Sequence, residues 1–176
     1  MDKLNFDDVP EVEVVKEPLT LSDFSIEDVT PEPLVSDGVY KGHIVDTALS
    51  QDAGYVRWKV SLQGNEGLVC NDGVTSVDGV QLEYLLWLPI LGDEAKKSKF
   101  SALTEKQVRT NGVIKFCKDM QLELHDPKKV VDSLTHGVNN RTWIGMPVVV
   151  TAKNEAGKKA YAGKMFTRIK KMEKGL

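Results

Sequence analysis

One eight-residue stretch, Tyr55–Leu62, constrains the fold of this chain more than any other. Its side chains alternate in character, with one side formed by Val56, Trp58, Val60 and Leu62 and the other by Tyr55, Arg57, Lys59 and Ser61. Successive side chains of a β-strand point to opposite faces of the sheet, so this period of two predicts a half-buried strand. Its outward face carries an aromatic ring and two cations, a pattern typical both of a solubilising surface and of a face that stacks bases and neutralises phosphates.

Further strands are predicted from runs of β-branched and aromatic residues bounded by turn formers. These runs lie at 39–49, 80–88, 146–153 and 160–169, with a short, broken one at 68–74. The turn at 51–54 joins the first two strands into a β-hairpin, and the last two strands form a C-terminal hairpin with a lysine pair at its bend. In the first strand we expect Tyr40, Ile44 and Ala48 to share one face.

A helix is predicted between the third and fourth main strands. Thr104 is a candidate N-cap, and Gln107 stands at the capping-box position three residues later. Apolar residues then recur at roughly helical spacing and predict an amphipathic helix to about Leu122. They are Val108, Ile114, Cys117, Met120 and Leu124. Residues 126–134 are interpreted as either a short second helix or a loop.

Charge is divided unevenly along the chain. Residues 1–37 carry eleven acidic side chains and two lysines, a balance of −9, whereas residues 38–176 carry 15 acidic and 21 basic ones, a balance of +6. Frequent acids, four prolines and aperiodic apolar residues predict an extended or disordered acidic arm at 1–37, ahead of one folded domain at 38–176. The arm has several open roles: a solvated leader, a segment that packs on its own domain or on a partner, or a nucleic-acid mimic over a basic groove. Its candidate partner-binding or autoinhibitory residues are Phe6, Asp7 and Asp8.

Several classes of protein are disfavoured by composition and motif. No run of about 18 apolar residues exists, and acidic residues stand where a secretory signal needs positive charge, so we expect a cytoplasmic protein without a membrane partner. Cys70 and Cys117 lie far apart and the three histidines are scattered, which predicts buried free thiols and no metal site. Without a nucleophile motif or a Gly-rich phosphate loop, we expect neither an enzyme nor a cofactor.

The predicted order of three strands, a helix and two strands is that of the OB-fold, a five-stranded Greek-key barrel with a helix between strands three and four. Residues 38–170 also contain Gly38-Val39-Tyr40 with Ala48, Trp-Lys-Val at 58–60, a helix end at 120–122, and Trp-Ile-Gly-Met-Pro-Val-Val-Val with its charged hairpin at 143–164. In these motifs they resemble a family of bacteriophage-encoded OB-fold proteins that bind single-stranded DNA. It implies work in DNA replication or recombination in the host cytoplasm. Many such proteins carry a C-terminal acidic tail, whereas this chain ends in a lysine-rich segment at 170–176.

The OB-fold layout also predicts a binding site. Oligonucleotides lie across strands two and three of an OB-fold, between the loops that join strands one to two and four to five. The corresponding candidate nucleic-acid-binding residues are Tyr55, Arg57, Lys59, Trp87, Lys153, Lys158, Lys159 and Tyr161. Stacking contributes about 1–3 kcal/mol per base, and about four phosphate contacts give a log–log salt slope of about −3. Trp58 points inward with its neighbouring valines and is expected in the core, while Trp143 is expected to pack at a loop or helix end.

Two hypotheses of different classes account for these features. The first is a sequence-tolerant binder of single-stranded DNA that works with replication or recombination proteins. The second is a protein-interaction OB module, a virion component or an inhibitor of a host protein, in which the acidic arm carries the recognition. Exposed edge strands leave a homo-oligomer open under either hypothesis.

Overall fold

The structure is a computed structural model that describes residues 22–27, 32–92 and 94–176. The chain divides into two units, residues 1–31 and residues 32–176. Of the first unit only residues 22–27 are described, and all six are exposed. The candidate arm residues Phe6, Asp7 and Asp8 therefore lie outside the described residues.

The second unit consists mainly of β-strands with helices inserted between them. Its elements in chain order are β1 (Gly38–Ser50), β2 (Tyr55–Leu62), β3 (Gln81–Trp87), α1 (Glu105–Asp119), α2 (Val130–Asn139), β4 (Pro147–Ala156), a short 3-10 helix (Lys159–Tyr161) and β5 (Met165–Lys174). The strand predicted at 55–62 is confirmed with its bounds unchanged. None of the described helices is long and apolar enough to cross a membrane.

All five strands pair antiparallel in one sheet with the order β3-β2-β1-β4-β5. The central strand β1 is shared along its length, since Gly38–His43 pairs with β4 while Gly42–Ser50 pairs with β2. The outer strands β3 and β5 also approach each other, with Cα atoms within 8 Å. The sheet is therefore built around one long strand with a different partner at each end.

A β-bulge in β1 corrects the predicted faces of that strand. The register slips between Ile44 and Asp46, so that Ile44 lies opposite Val60 while Thr47 lies opposite Trp58. An extra residue in one strand reverses the inward and outward alternation beyond it. Ala48 therefore does not share the face of Tyr40 and Ile44 as predicted, and it lies beside Arg57 on the opposite face.

Trp58 lies at the centre of the core, as predicted, with 0% of its surface exposed. Its ring packs 5.0 Å from Phe116 of α1 and 5.2 Å from Trp143, measured between centroids. Trp143 lies in the turn after α2 and is itself buried, which confirms the prediction that it packs at a loop or helix end. Aromatic contacts of this kind join the sheet to both helices and add about 0.5–1.5 kcal/mol per pair beyond the area that they bury.

The capping box of α1 is present as predicted. Thr104 accepts a hydrogen bond from the backbone N–H of Gln107, and the Gln107 side chain accepts one from the Thr104 N–H. The predicted buried face is wrong in part, because Val108 and Ile114 are 38% and 41% exposed. The buried residues are Val113, Phe116, Cys117 and Met120, all in the C-terminal half of the helix or its cap. Only that half packs on the core. The prediction was wrong in part because it assumed that one face of the helix is buried along its whole length.

Three other predicted elements differ from those in the structure. The segment after residue 126 contains a helix, α2, and this helix extends to Asn139 instead of ending near residue 134. The last strand runs from Met165 to Lys174, so most of the lysine-rich end belongs to β5. Residues 68–74 form no strand and make only an isolated bridge between Val69 and Ser76.

Residues 32–37, which the sequence assigned to the arm, belong to the folded unit. Val35 is buried, and its carbonyl oxygen accepts a hydrogen bond of 3.0 Å from the Asn154 side chain. The Asp37 carboxylate accepts another, of 2.7 Å, from the Asn154 backbone N–H. These contacts join the approach to β1 with the far end of β4.

Candidate functional site

Two of the predicted site residues, Tyr55 and Trp87, form an aromatic pair at one end of the sheet. They lie directly opposite each other on β2 and β3. Their ring centroids are 5.1 Å apart and the rings meet edge to face at 70°. Trp87 remains 46% exposed, so a large part of the indole is open to a ligand.

Arg109 of α1 completes this arrangement, and no sequence pattern indicated it. Its guanidinium carbon lies 5.6 Å from the centroid of the Trp87 ring, which is a cation–π distance. The same guanidinium donates a hydrogen bond of 3.3 Å to the Leu88 carbonyl oxygen, and this contact holds it beside the end of β3. We refer to Tyr55, Trp87 and Arg109 as the aromatic patch. Only helix packing brings Arg109 to β3, from 22 positions further along the chain.

Arg57 and Lys59, the cations of the opening pattern, are held by carboxylates on the same face. Arg57 lies 3.2 Å from Asp46 of β1 and 3.9 Å from Glu83 of β3, and Lys59 lies 3.8 Å from the same Glu83 oxygen. Each of these pairs is partly exposed and adds at most about 1 kcal/mol to stability. A phosphate group would have to displace these carboxylates before it could bind the two cations.

The predicted residues Lys158, Lys159 and Tyr161 of the C-terminal hairpin form a separate basic surface together with Lys164, which was not among the predicted site residues. Lys158, Lys159 and Lys164 are exposed and form no ion pair with another described residue. Tyr161, 59% exposed, lies between them, and its ring contacts Phe166 edge to face at 5.8 Å. We refer to these three lysines and Tyr161 as the lysine hairpin.

A close backbone approach sets the shape of this hairpin. The backbone N–H of Gly157 donates a hydrogen bond of 2.7 Å to the Lys164 carbonyl oxygen. A Cβ atom at Gly157 would lie 2.8 Å from both the Phe166 and Tyr161 side chains, and nearer still to the Tyr161 carbonyl oxygen. Glycine is therefore needed where the chain folds back to present Tyr161.

Strand pairing places the aromatic patch and the lysine hairpin at opposite ends of β1. Tyr55 pairs with Ser50, the last residue of β1, whereas Gly38, the first, pairs with Ala152 of β4. Lys153 follows Ala152 on β4, opposite Arg168 of β5, and the lysine hairpin comes beyond it. A ligand that touched both surfaces would have to run along or across the sheet.

An apolar groove of about 560 Å³ opens beside the aromatic patch. Consecutive residues of β3 form one wall, α1 forms another, and the loop before α1 forms the rim. The lining side chains that bear on ligand binding in this apolar groove are Leu85, Leu86, Trp87, Phe100, Val108 and Arg109. The strand pattern had indicated Trp87, but Phe100 stands in a polar loop where the sequence carries no signal of a binding surface.

The structure also locates the two cysteines and the candidate metal ligands in the described part of the chain. No group of three or more His, Cys, Asp or Glu residues there could hold a metal ion. Cys70 and Cys117 are free and buried, as predicted, and burial raises the pKa of both thiols. A raised pKa favours the protonated thiol, which is the less reactive form.

No family model matches the chain, and no match was found among curated proteins.

Proposed function

We propose that residues 32–176 form an OB-like barrel that binds single-stranded DNA without sequence preference and catalyses no reaction. A role in phage replication or recombination is part of this proposal and comes from the resemblance of residues 38–170. The aromatic patch stacks bases, and the lysine hairpin neutralises phosphates. Arg57 and Lys59, paired with carboxylates, have a secondary part.

Strand connectivity supports the OB-like barrel. The first three strands form a meander, both helices come between β3 and β4, and β4 returns to pair with β1. The approach of β3 to β5 would close such a barrel. In an OB-fold the nucleic acid lies on the face of strands two and three, where Tyr55 and Trp87 stand.

The observation that carries the proposal is the half-exposed indole of Trp87, held between an aromatic edge and a guanidinium. Tyr55 and Arg109 orient the ring from the sheet and the helix, so that little side-chain entropy remains to be lost when a base stacks on it. Every base has a π-face, so stacking of this kind tolerates any sequence and is worth about 1–3 kcal/mol per base.

The lysine hairpin supplies the second element of the proposal. Its three lysines have no carboxylate partner among the described residues, so a phosphate can bind them without displacing one. Three phosphate contacts on a single strand give a log–log salt slope of about −2. The balance of +6 over residues 38–176 favours approach of a polyanion, whatever its sequence.

The test is fluorescence anisotropy with labelled oligo-dT of about 20 nucleotides, longer than the ~4–16 that one OB-fold covers. Titrations at about 50 and 200 mM salt give affinity and slope. Trp87→Ala should weaken binding by about 5- to 150-fold, whereas Val74→Ala, at an exposed loop position, should not change it. Lys158→Glu with Lys159→Glu should reduce the magnitude of the salt slope by about 1.4.

The matched control for the double charge reversal is Lys128→Glu with Lys129→Glu, a pair of exposed lysines before α2. It changes the net charge equally but leaves the lysine hairpin intact. Equal losses in the two double variants would mean that only net charge matters and would refute a role for the lysine hairpin. No binding of oligo-dT by the wild-type chain at about 50 mM salt would refute the proposed function.

A further inference from the structure

We propose that the apolar groove beside β3 is a second binding site, which takes an acidic peptide carrying a bulky apolar side chain. This site does not depend on the binding of DNA. It shares Trp87 and Arg109 with the aromatic patch, but its rim, at residues 96–104, lies outside that patch.

The walls of the apolar groove fit an aliphatic or aromatic side chain. Leu85 and Leu86 of β3 line it together with Val108 of α1, and Phe100 stands at the rim with 98% of its surface exposed. A phenylalanine so exposed leaves its whole apolar surface in water. Exposed apolar surface at the rim of an apolar groove marks an interaction site.

The rim is held in place before any ligand arrives. The backbone N–H of Glu105 donates to the Lys96 carbonyl oxygen at 2.8 Å, and that of Ser98 donates to the Leu103 carbonyl oxygen at 3.1 Å. A bridge between Lys97 and Thr104 closes the loop into a small hairpin. Phe100 therefore stands at the tip of an ordered turn, and its exposure does not reflect a loose chain end.

The position of the apolar groove favours a peptide side chain as its occupant. β3 pairs with β2 along one side, and β5 also approaches it, with Cα atoms within 8 Å. The apolar groove is therefore bounded by four consecutive β3 residues on one side and by α1 on the other. A groove of this kind takes the apolar side chains of a peptide as anchors.

The charge of the rim selects an acidic peptide. Lys96 forms an ion pair with Glu105 at 3.2 Å, and Lys106 forms one with Glu94 at 2.8 Å. Lys97 and Lys99, on the same loop as Phe100, are exposed and form no ion pair with a residue that the structure describes. These two lysines stand next to Ser98 and Phe100 in the chain, which line the apolar groove, and their positive charge complements carboxylates that flank a bulky apolar side chain.

The test uses the full chain and a fluorescein-labelled peptide of about ten residues, composed of aspartate and serine with two leucines. Wild type should bind it with a measurable rise in anisotropy. Phe100→Ala should weaken binding by at least about tenfold, because the peptide loses its apolar contact at the rim. Lys97→Glu with Lys99→Glu should weaken it about tenfold at low salt and less at high salt. The pair Lys128→Glu and Lys129→Glu should change it by less than about twofold.

Three outcomes would overturn the inference. A peptide with serine in place of every aspartate could bind equally well, which would show that the rim lysines do not recognise the carboxylates of the peptide. The acidic peptide could fail to bind while sedimentation shows a dimer that Phe100→Ala abolishes, which would make the apolar groove a self-interface. Phe100→Ala could weaken the binding of oligo-dT as much as that of the peptide, which would make the apolar groove a nucleic-acid site. The inference is supported if Phe100→Ala loses affinity for the peptide but keeps normal affinity for oligo-dT. If the wild-type chain binds the peptide but not oligo-dT, the proposed function fails and the inference stands.

Discussion

The same substitution in the two α-helices should have opposite effects on stability. Gly137→Ala places a methyl group in α2 directly against the ring of Trp143. Its Cβ atom would lie 2.5 and 2.6 Å from ring carbons Cζ3 and Cζ2, and nearer still to Cη2. The ring cannot easily retreat, because Trp143 is 3% exposed and packs 5.2 Å from the buried Trp58, measured between centroids. Gly112→Ala in α1 meets nothing within 4 Å.

The magnitudes decide the signs of the two effects. Replacing glycine by alanine inside a helix gains about 0.8–1 kcal/mol, and at Gly112 that gain stands alone. At Gly137 overpacking costs about 1–3 kcal/mol, and the rigid indole places the cost at the upper end. We therefore expect Gly137→Ala to lower the free energy of unfolding by about 1–2 kcal/mol and Gly112→Ala to raise it by nearly 1 kcal/mol.

Urea titration followed by circular dichroism measures both effects as shifts in the midpoint at unchanged slope. The pair of variants separates helix propensity from packing, since each contains one alanine in place of a helical glycine. Gly137→Ala at least as stable as the wild type would refute the packing of α2 against Trp143. A destabilised Gly112→Ala would refute the exposure of that helix face.

Three further predictions concern charge and thiols. Deleting residues 1–31, which removes nine acids and two lysines, should tighten oligo-dT binding, more so at low salt; unchanged affinity would exclude repulsion by this segment. A hydrogen bond from Lys106 lowers the pKa of Glu94, so its stabilisation is present above the ordinary carboxyl pKa and lost as pH falls through the lowered one. Between about pH 5 and pH 3 the wild type should lose more unfolding free energy than Glu94→Gln does, and parallel pH curves would contradict this. Ellman's reagent should react slowly with Cys70 and Cys117 in the native chain and rapidly in urea, and fast native labelling would contradict their burial.

Much of the fold could be read from local pattern. The alternation at 55–62 placed Trp58 inward and Tyr55 outward, and the capping box marked the start of α1. These signals are local, because a strand alternates and a helix is capped within a few residues. The faces of β1 beyond Ile44 were not readable, since a bulge depends on how two strands pair.

The candidate site was readable only in part. Tyr55 and Trp87 were named from strand faces, and the structure pairs them at 5.1 Å. The carboxylates that hold Arg57 and Lys59 come from β1 and β3, so their effect depends on register across three strands. Phe100 gave no signal, because a lone aromatic in a lysine loop becomes part of a groove only when α1 packs beside β3.

The sequence by itself determined that Tyr55–Leu62 is a half-buried strand with an aromatic and cationic outer face, because alternation at a period of two is a property of consecutive residues. Tertiary structure alone decided which of those outward residues stay open to a ligand. Pairing with β1 and β3 brought Asp46 and Glu83 to Arg57 and Lys59, and helix packing brought Arg109 to Trp87. The reason is that availability depends on neighbours distant in the chain, which local periodicity does not encode.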